Sequence, residues 1–210
     1  MRNINTYNRI VIKIGSAVLS ASNGMVNHKI LAAISEDIAW LLKNDKEVLI
    51  VSSGAIALGR KKIKLPKNLS LAESQALAAH GQIELMSAWK KHLNKFSIPI
   101  GQILLTPRDT ELKLSSRNAK QTVSKLLEAG CLPIVNENDS TATDEIKFGD
   151  NDLLAAKVAK LIGADLLIVL STVDGLYTSA EDVQTRKLGS LIKEVNNITS
   201  KVKKMAGHAS

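Results

Sequence analysis

The chain has 210 residues, of which 45% are hydrophobic and 23% are charged, a composition typical of a globular protein with one sizeable core or two small ones. Its 28 Lys and Arg against 20 Asp and Glu give a formal net charge of +8, which favours anionic partners such as nucleotides, phosphates or nucleic acid. Two Trp, two Tyr and two Phe offer little surface for base stacking, so we do not expect nucleic acid to be the partner.

The apolar segments and the cysteine content indicate the cellular location. The longest apolar runs have the length of a strand and are too short to span a membrane, and the first fifteen residues carry no secretory signal pattern. Cys131 is the single cysteine, which excludes an internal disulfide and fits a reducing compartment. We therefore expect a cytoplasmic protein with no membrane partner.

Five apolar runs, taken in chain order, predict buried strands. Their apolarity is continuous instead of alternating, as is typical of parallel strands that are covered on both faces. Gly101 interrupts the third run. The five runs are residues 9–14, 48–52, 98–105, 131–135 and 165–171.

Helical patterns lie between these runs. One apolar face recurs over 30–42, and Ser70 with Glu73 forms a capping box before a long helix that runs toward Phe96. Further helices are predicted at 116–129 and 151–162. Strand alternating with helix predicts an α/β fold with an open, mainly parallel sheet and helices on both faces.

Ligands of open α/β sheets bind at the carboxyl ends of the strands, and two of these ends carry distinctive residues. In "VIKIGS" Lys13 lies inside an apolar strand just before a glycine, where a buried ammonium needs an adjacent anion. An edge-strand lysine that discourages aggregation is the alternative. In "VSSGAIALG" Ser53 and Gly54 precede a helix whose N-terminus can hold an anion, or they form a tight connection.

The segment "NENDSTATDEIKFGDND" at 136–152 contains six of the twenty acids of this basic chain. It fits no EF-hand loop, and the four histidines and Cys131 show no zinc-ligand spacing. We therefore predict no dedicated metal site, although loosely placed carboxylates could ligate magnesium through waters. The segment follows a predicted strand, so it lies on the ligand-binding edge of the sheet.

Taken together, "VIKIGSAVLS", "VSSGAIALG", "LLTPRD", "LPIVNENDSTATDEIKFGDNDLLAAKVA" and "ADLLIVLSTVDGLYT" resemble the glutamate 5-kinases of the amino-acid kinase family. The resemblance runs in order from Ile10 to about Ile198 and is most specific at 132–159. It implies an αβα sandwich that uses ATP and Mg²⁺ to phosphorylate the side-chain carboxylate of L-glutamate. The product would be L-glutamyl 5-phosphate, in the first step of proline biosynthesis.

The resemblance also implies roles for individual residues. Lys13 would screen the transferred phosphoryl group, and Asp150 would orient Lys13 or the substrate. A glutamate side chain, with a pKa near ~4.3, is already ionised and needs no general base. The acidic segment would then bind the substrate ammonium. The implied set is Lys13 and Asp150 for catalysis, Ser53, Asp139 and Asn151 for glutamate, and Lys13, Gly15, Ser16, Ser171 and Thr172 for ATP.

Two departures from the resembled family bear on activity. The family carries an aspartate where this chain has Thr172. The chain also stops at Ser210, before a glycine-rich loop, a second phosphate-contacting lysine and the last strands of the nucleotide half. We expect one amino-acid kinase domain over 1–210, incomplete at its C-terminus and without an RNA-modification-type domain.

The expected function therefore has two forms. The chain is either an active glutamate 5-kinase or a weak or inactive remnant that binds glutamate or a partner subunit. Homo-oligomerisation is expected in either case, and proline is a candidate feedback inhibitor.

Overall fold

The computed structural model describes residues 4–21, 24–66, 68–141, 151–185 and 190–205. The chain divides into two compact units, Met1–Leu170 and Ser171–Ser210. None of the described helices is long and apolar enough to cross a membrane.

The first unit is built on a parallel sheet with the strand order β3-β4-β2-β1-β5. Strand β1 is hydrogen-bonded on both sides, by β2 and β5. The alternative reading of Lys13 as an edge-strand residue is therefore wrong. The strands are β1 Arg9–Ile14, β2 Glu47–Ser52, β3 Ile100–Leu105, β4 Leu132–Glu137 and β5 Leu166–Leu170.

Helices cover both faces of the sheet and confirm the predicted αβα sandwich. One core joins alternate residues of β1, such as Ile10 and Ile12, to α2, α3 and α4. The other joins Val11 and Val51 to α6 and α7. The helices of this unit are α1 Ser16–Leu19, α2 His28–Lys43, α3 Ala55–Lys62, α4 Leu71–Leu93, α5 Pro107–Glu111, α6 Lys113–Glu128 and α7 Asn151–Ile162.

Two details of the predicted strands need correction. Burial on both faces holds for β1, β2 and β4, whereas β3 and β5 are edge strands with partly exposed side chains. Val169 in β5 is 45% exposed. Gly101 does not interrupt β3, which runs through it in register with β4. Apolar content predicted that these segments are strands, but strand order decided which faces are covered.

The predicted capping box at the start of α4 is confirmed. Ser70 Oγ accepts from the Glu73 amide at 3.3 Å, and the Glu73 carboxylate accepts from the Ser70 amide at 2.8 Å. Helix α4 then crosses α3 at two glycines. A Cβ on Gly81 would lie 1.7 Å from the Ala55 carbonyl oxygen, and one on Gly59 would lie 2.1 Å from the Leu77 carbonyl oxygen. Glycine at both positions therefore sets how closely the two helices approach.

The second unit contains a short antiparallel pair, β6 Leu176–Tyr177 and β7 Leu191–Ile192. Helix α8, Ala180–Thr185, begins after Ser179, whose Oγ accepts from the Asp182 amide at 3.2 Å. Helix α9 spans Ser200–Met205. The sequence patterns did not predict these elements, since each is too short to show a hydrophobic period.

Candidate active site

The ends of the central strands are joined by backbone hydrogen bonds. The Ser53 amide, after β2, donates to the Ile14 carbonyl of β1 at 3.1 Å. The Gly15 amide, after β1, donates to the Leu170 carbonyl of β5 at 3.0 Å. The side chains that follow β1 and β2 are therefore held on one fixed rim at the carboxyl edge of the sheet.

Lys13 is buried, with 7% of its surface exposed. It follows Val11 on the face of β1 that packs against α7, because side chains alternate along a strand. Its ammonium forms an ion pair with Asp152 in the first turn of α7. The Asp152 side chain is 62% exposed, so the pair lies where the buried rim meets solvent. The buried Lys13 charge is thus balanced by a carboxylate that solvent reaches.

A chain of amide hydrogen bonds runs across the neighbouring strand ends. Asn151 Nδ2, at the start of α7, donates to Ser53 Oγ at 2.7 Å and to Asn136 Oδ1 at 3.1 Å. Asn136 Nδ2, in β4, donates to Gln82 Oε1 of α4 at 2.7 Å. Gln82, Asn136 and Asn151 are all at least nine-tenths buried. We call these four residues (Ser53, Asn151, Asn136 and Gln82) the amide relay.

The relay ends in two polar atoms that have no hydrogen-bond partner among the described residues. They are Asn151 Oδ1, an acceptor, and Gln82 Nε2, a donor. Leaving a buried polar atom unpaired costs about 1–3 kcal/mol. Such atoms at a strand-end rim are suited to a ligand that carries both a donor and an acceptor.

Asp139 lies directly beyond β4, in a 3-10 turn spanning Asp139–Thr141. It is half-buried, and burial raises the pKa of its carboxyl to about 6. Asp139 and Gln82 line the same small cavity, together with Ala78, Leu104 and the buried Glu137. Because desolvation disfavours the charged carboxylate, a cation bound here would offset an existing cost.

The turn after β2 is shaped by its neighbours. Ser52 Oγ accepts from the indole N–H of the fully buried Trp89 at 3.0 Å. Gly54 then adopts φ +111° and caps α3 without a side-chain hydrogen bond. Positive φ favours glycine here. The first-turn amides of α3 therefore open onto the same rim as Ser53.

Three of the predicted site residues come together in this geometry. Lys13 and Ser53 lie at the ends of the adjacent strands β1 and β2, Asn151 at the start of α7 donates to Ser53, and Asp139 lies beyond β4. Gly15 and Ser16 follow β1 directly, at the start of α1. Asp150 lies outside the described residues.

Ser171 and Thr172 are exposed and open the second unit. Their predicted contacts with ATP stay predictions, as does the single-domain organisation.

Sequence reasoning missed Asp152, Asn136 and Gln82 as site residues. Asp152 and Asn136 both belong to the acidic segment, so their position carried a signal. Gln82 carried none, because a glutamine in the middle of a helix resembles any surface residue. Among the described residues no group of three or more His, Cys, Asp or Glu side chains is arranged to hold a metal ion.

The sequence model of the amino acid kinase family matches residues 8–206. The chain belongs to the amino acid kinase family. Its curated relatives include proteins named glutamate 5-kinase. That of Allorhizobium ampelinum is 49% identical over 100% of this chain and 53% of its own length. Those of Rhodopseudomonas palustris and Pelagibacter ubique are 48% and 50% identical over 98% and 94% of this chain, and over 55% and 53% of their own lengths. The chain thus spans about half the length of these relatives.

Proposed function

We propose that this amino acid kinase family member transfers a phosphoryl group from ATP to the side-chain carboxylate of L-glutamate. The observation that carries the proposal is the ion pair between the buried Lys13 and the exposed Asp152, on the same rim as the amide relay. The relatives named glutamate 5-kinase support the choice of substrate. The product would be L-glutamyl 5-phosphate for proline biosynthesis.

The order of the strands suggests how the substrate lies. Asp139 follows β4, Ser53 follows β2 and Lys13 lies in β1, and these three strands are neighbours. Adjacent strands are about 4.8 Å apart, so the rim from β4 to β1 spans about 10 Å. Glutamate bound along it would place its ammonium near Asp139 and its side-chain carboxylate toward Lys13.

The chemistry requires an anion to attack a polyanion, so catalysis rests on positioning and charge neutralisation. The substrate carboxylate is ionised at neutral pH and needs no base. Ser53 and Asn151 would hold the substrate so that its side-chain carboxylate lies in line with the transferred phosphoryl group. The Lys13 ammonium, kept on the rim by Asp152, would stabilise the phosphoryl group as it moves between the two oxygens.

ATP fits the part of the rim near β1. Lys13 would supply a cation, the Ser16 amide next to the Gly15 turn would supply a hydrogen-bond donor, and the uncapped start of α3 would supply further amides. Mg²⁺ bound to the ATP phosphates would supply further charge neutralisation. Among the described residues, the exposed Asp152 carboxylate could bind this Mg²⁺ through a water molecule.

The remaining assignments rest on the resemblance. They are the roles of Asp150, Ser171 and Thr172, a cytoplasmic location, homo-oligomerisation and proline as a feedback inhibitor.

The test is ADP release with ATP, Mg²⁺ and L-glutamate, with hydroxylamine present to trap the acyl phosphate. The Asn151→Ala variant should weaken glutamate binding about 5- to 100-fold, the range for an unpaired polar group in a site. ATP binding should change little. Asn118→Ala, at an exposed position of α6, is the matched control.

The outcomes separate the two forms of the proposal. Glutamate-dependent ADP release with a trapped hydroxamate supports the kinase. Calorimetric glutamate binding without turnover supports a non-catalytic glutamate-binding protein instead. A chain that neither binds glutamate nor releases ADP contradicts the assignment.

A further inference from the structure

Gln82 is placed at the site by the crossing of α3 and α4. The residue before it, Gly81, packs so tightly on α3 that any Cβ would meet the Ala55 carbonyl oxygen at 1.7 Å. Helix α3 itself starts from the turn that carries Ser53. The position of Gln82 relative to that turn is therefore fixed by backbone contact, not by a flexible side chain.

The orientation of the Gln82 amide is fixed as well. Its Oε1 accepts from Asn136 Nδ2 at 2.7 Å. Asn136 has that orientation because its Oδ1 accepts from Asn151 Nδ2 at 3.1 Å. The remaining Gln82 atom, Nε2, is a donor that is buried and has no partner in the described part of the chain.

The surroundings of that donor indicate what it would meet. Gln82 lines the small cavity beyond β4 that is also lined by Asp139 and by the buried Glu137. A donor beside a carboxylate is the complement of the head group of an α-amino acid, which carries one carboxylate and one ammonium. Lys13 lies two strands away along the rim, too far to serve the same end of the substrate.

We propose that Gln82 is a specificity-determining residue whose Nε2 donates a hydrogen bond to the α-carboxylate of the amino-acid substrate. This inference rests on the proposed function. Gln82 Oε1 also fixes the orientation of the Asn136 amide, and Asn136 Oδ1 in turn accepts from Asn151 Nδ2. The Oδ1 atom of Asn151 is then left as an acceptor for the substrate. Gln82 would thereby select substrates that carry an α-carboxylate and would take no part in phosphoryl transfer.

The experiment compares Gln82→Glu with the unaltered chain. Glutamate at this position keeps an oxygen that can accept from Asn136 Nδ2 but replaces the donor by a second oxygen. Binding of L-glutamate and of 4-aminobutyrate, which lacks the α-carboxylate, is measured by calorimetric or nuclear magnetic resonance titration. Gln121→Glu, at an exposed position of α6, makes the same chemical change away from the site.

L-Glutamate should bind Gln82→Glu about 10- to 100-fold more weakly. The donor that would pair with its α-carboxylate is replaced by a carboxylate that repels it. The affinity for 4-aminobutyrate should change by less than about threefold. A second variant, Gln82→Met, removes both polar ends at similar volume and should also lose selectivity for L-glutamate. Thermal unfolding of each variant shows whether it is folded.

The measurements distinguish failure of this inference from failure of the proposed function. If the unaltered chain binds L-glutamate and Gln82→Glu binds it equally well, this inference is overturned while the proposed function stands. Equal losses for L-glutamate and 4-aminobutyrate would assign Gln82 a structural role and overturn the inference as well. If the unaltered chain does not bind L-glutamate, the proposed function fails, and the inference fails with it.

Discussion

Replacing Asp139 by asparagine should stabilise the folded chain at neutral pH while weakening its affinity for glutamate. Burial raises the pKa of this carboxyl from an ordinary value of 3.8 to about 6. At about 1.4 kcal/mol per pH unit, that pKa difference corresponds to about 3 kcal/mol of unfolding free energy for a carboxyl that is fully shielded from solvent. Because Asp139 is only half-buried, solvent reduces the effect to about 1–2 kcal/mol.

The sign follows from proton linkage. A carboxyl with a raised pKa binds its proton more tightly in the folded state than in the unfolded state, so stability falls as pH rises through the interval between the two values. The cost of Asp139 is absent below about pH 4, grows up to about pH 6 and is constant above that. The asparagine side chain in Asp139→Asn carries no charge at any pH, so the stability advantage of this variant should follow the same curve.

The assay is urea unfolding of the unaltered chain and of Asp139→Asn at a series of pH values from about 4 to about 8, which brackets the interval between the two pKa values. Asp37→Asn, on the exposed side of α2, controls for the loss of one negative charge. A difference in unfolding free energy that does not vary with pH would refute the reasoning, since neutral packing or hydrogen bonding would then account for it.

Ligand binding gives an independent check of the same pKa. If the substrate ammonium pairs with Asp139, binding favours the ionised carboxylate and should release protons near pH 6. Calorimetry of glutamate binding in buffers with different ionisation enthalpies measures this release. Asp139→Asn should abolish it, and release that persists in the variant would place the proton on another group.

Two further predictions concern Lys13 and Gly81. Lys13→Ala should lower turnover by about 10²–10³, the effect of losing one preorganised charge-stabilising group, with little change in glutamate KM. Steady-state kinetics check this, and normal turnover would limit Lys13 to a structural role. Gly81→Ala should destabilise the fold by about 3 kcal/mol or more, because a Cβ would overlap the Ala55 carbonyl oxygen. Urea unfolding measures the loss, and Ser87→Ala on the exposed side of α4 should cost little by comparison.

The sequence by itself determined the five strands of the first unit and the polar residues at their ends. Continuous apolar runs identified the strands, and the Ser70–Glu73 capping box marked the start of α4. Both signals are local, because they depend on residues within a few positions of each other. Lys13 and Ser53 could be predicted in the same way, since each is a polar residue at the end of an apolar run.

The tertiary structure alone decided which of these ends are neighbours. Strand β1 became an interior strand because β5, the last strand of the first unit, pairs with its free side. Asn151 reaches Ser53 across 98 positions, and Asn136 reaches Gln82 across 54. No local pattern encodes contacts of that range. Gln82 in particular is a helix residue like any other until the glycine crossing brings it to the rim, and that is why the sequence did not reveal it.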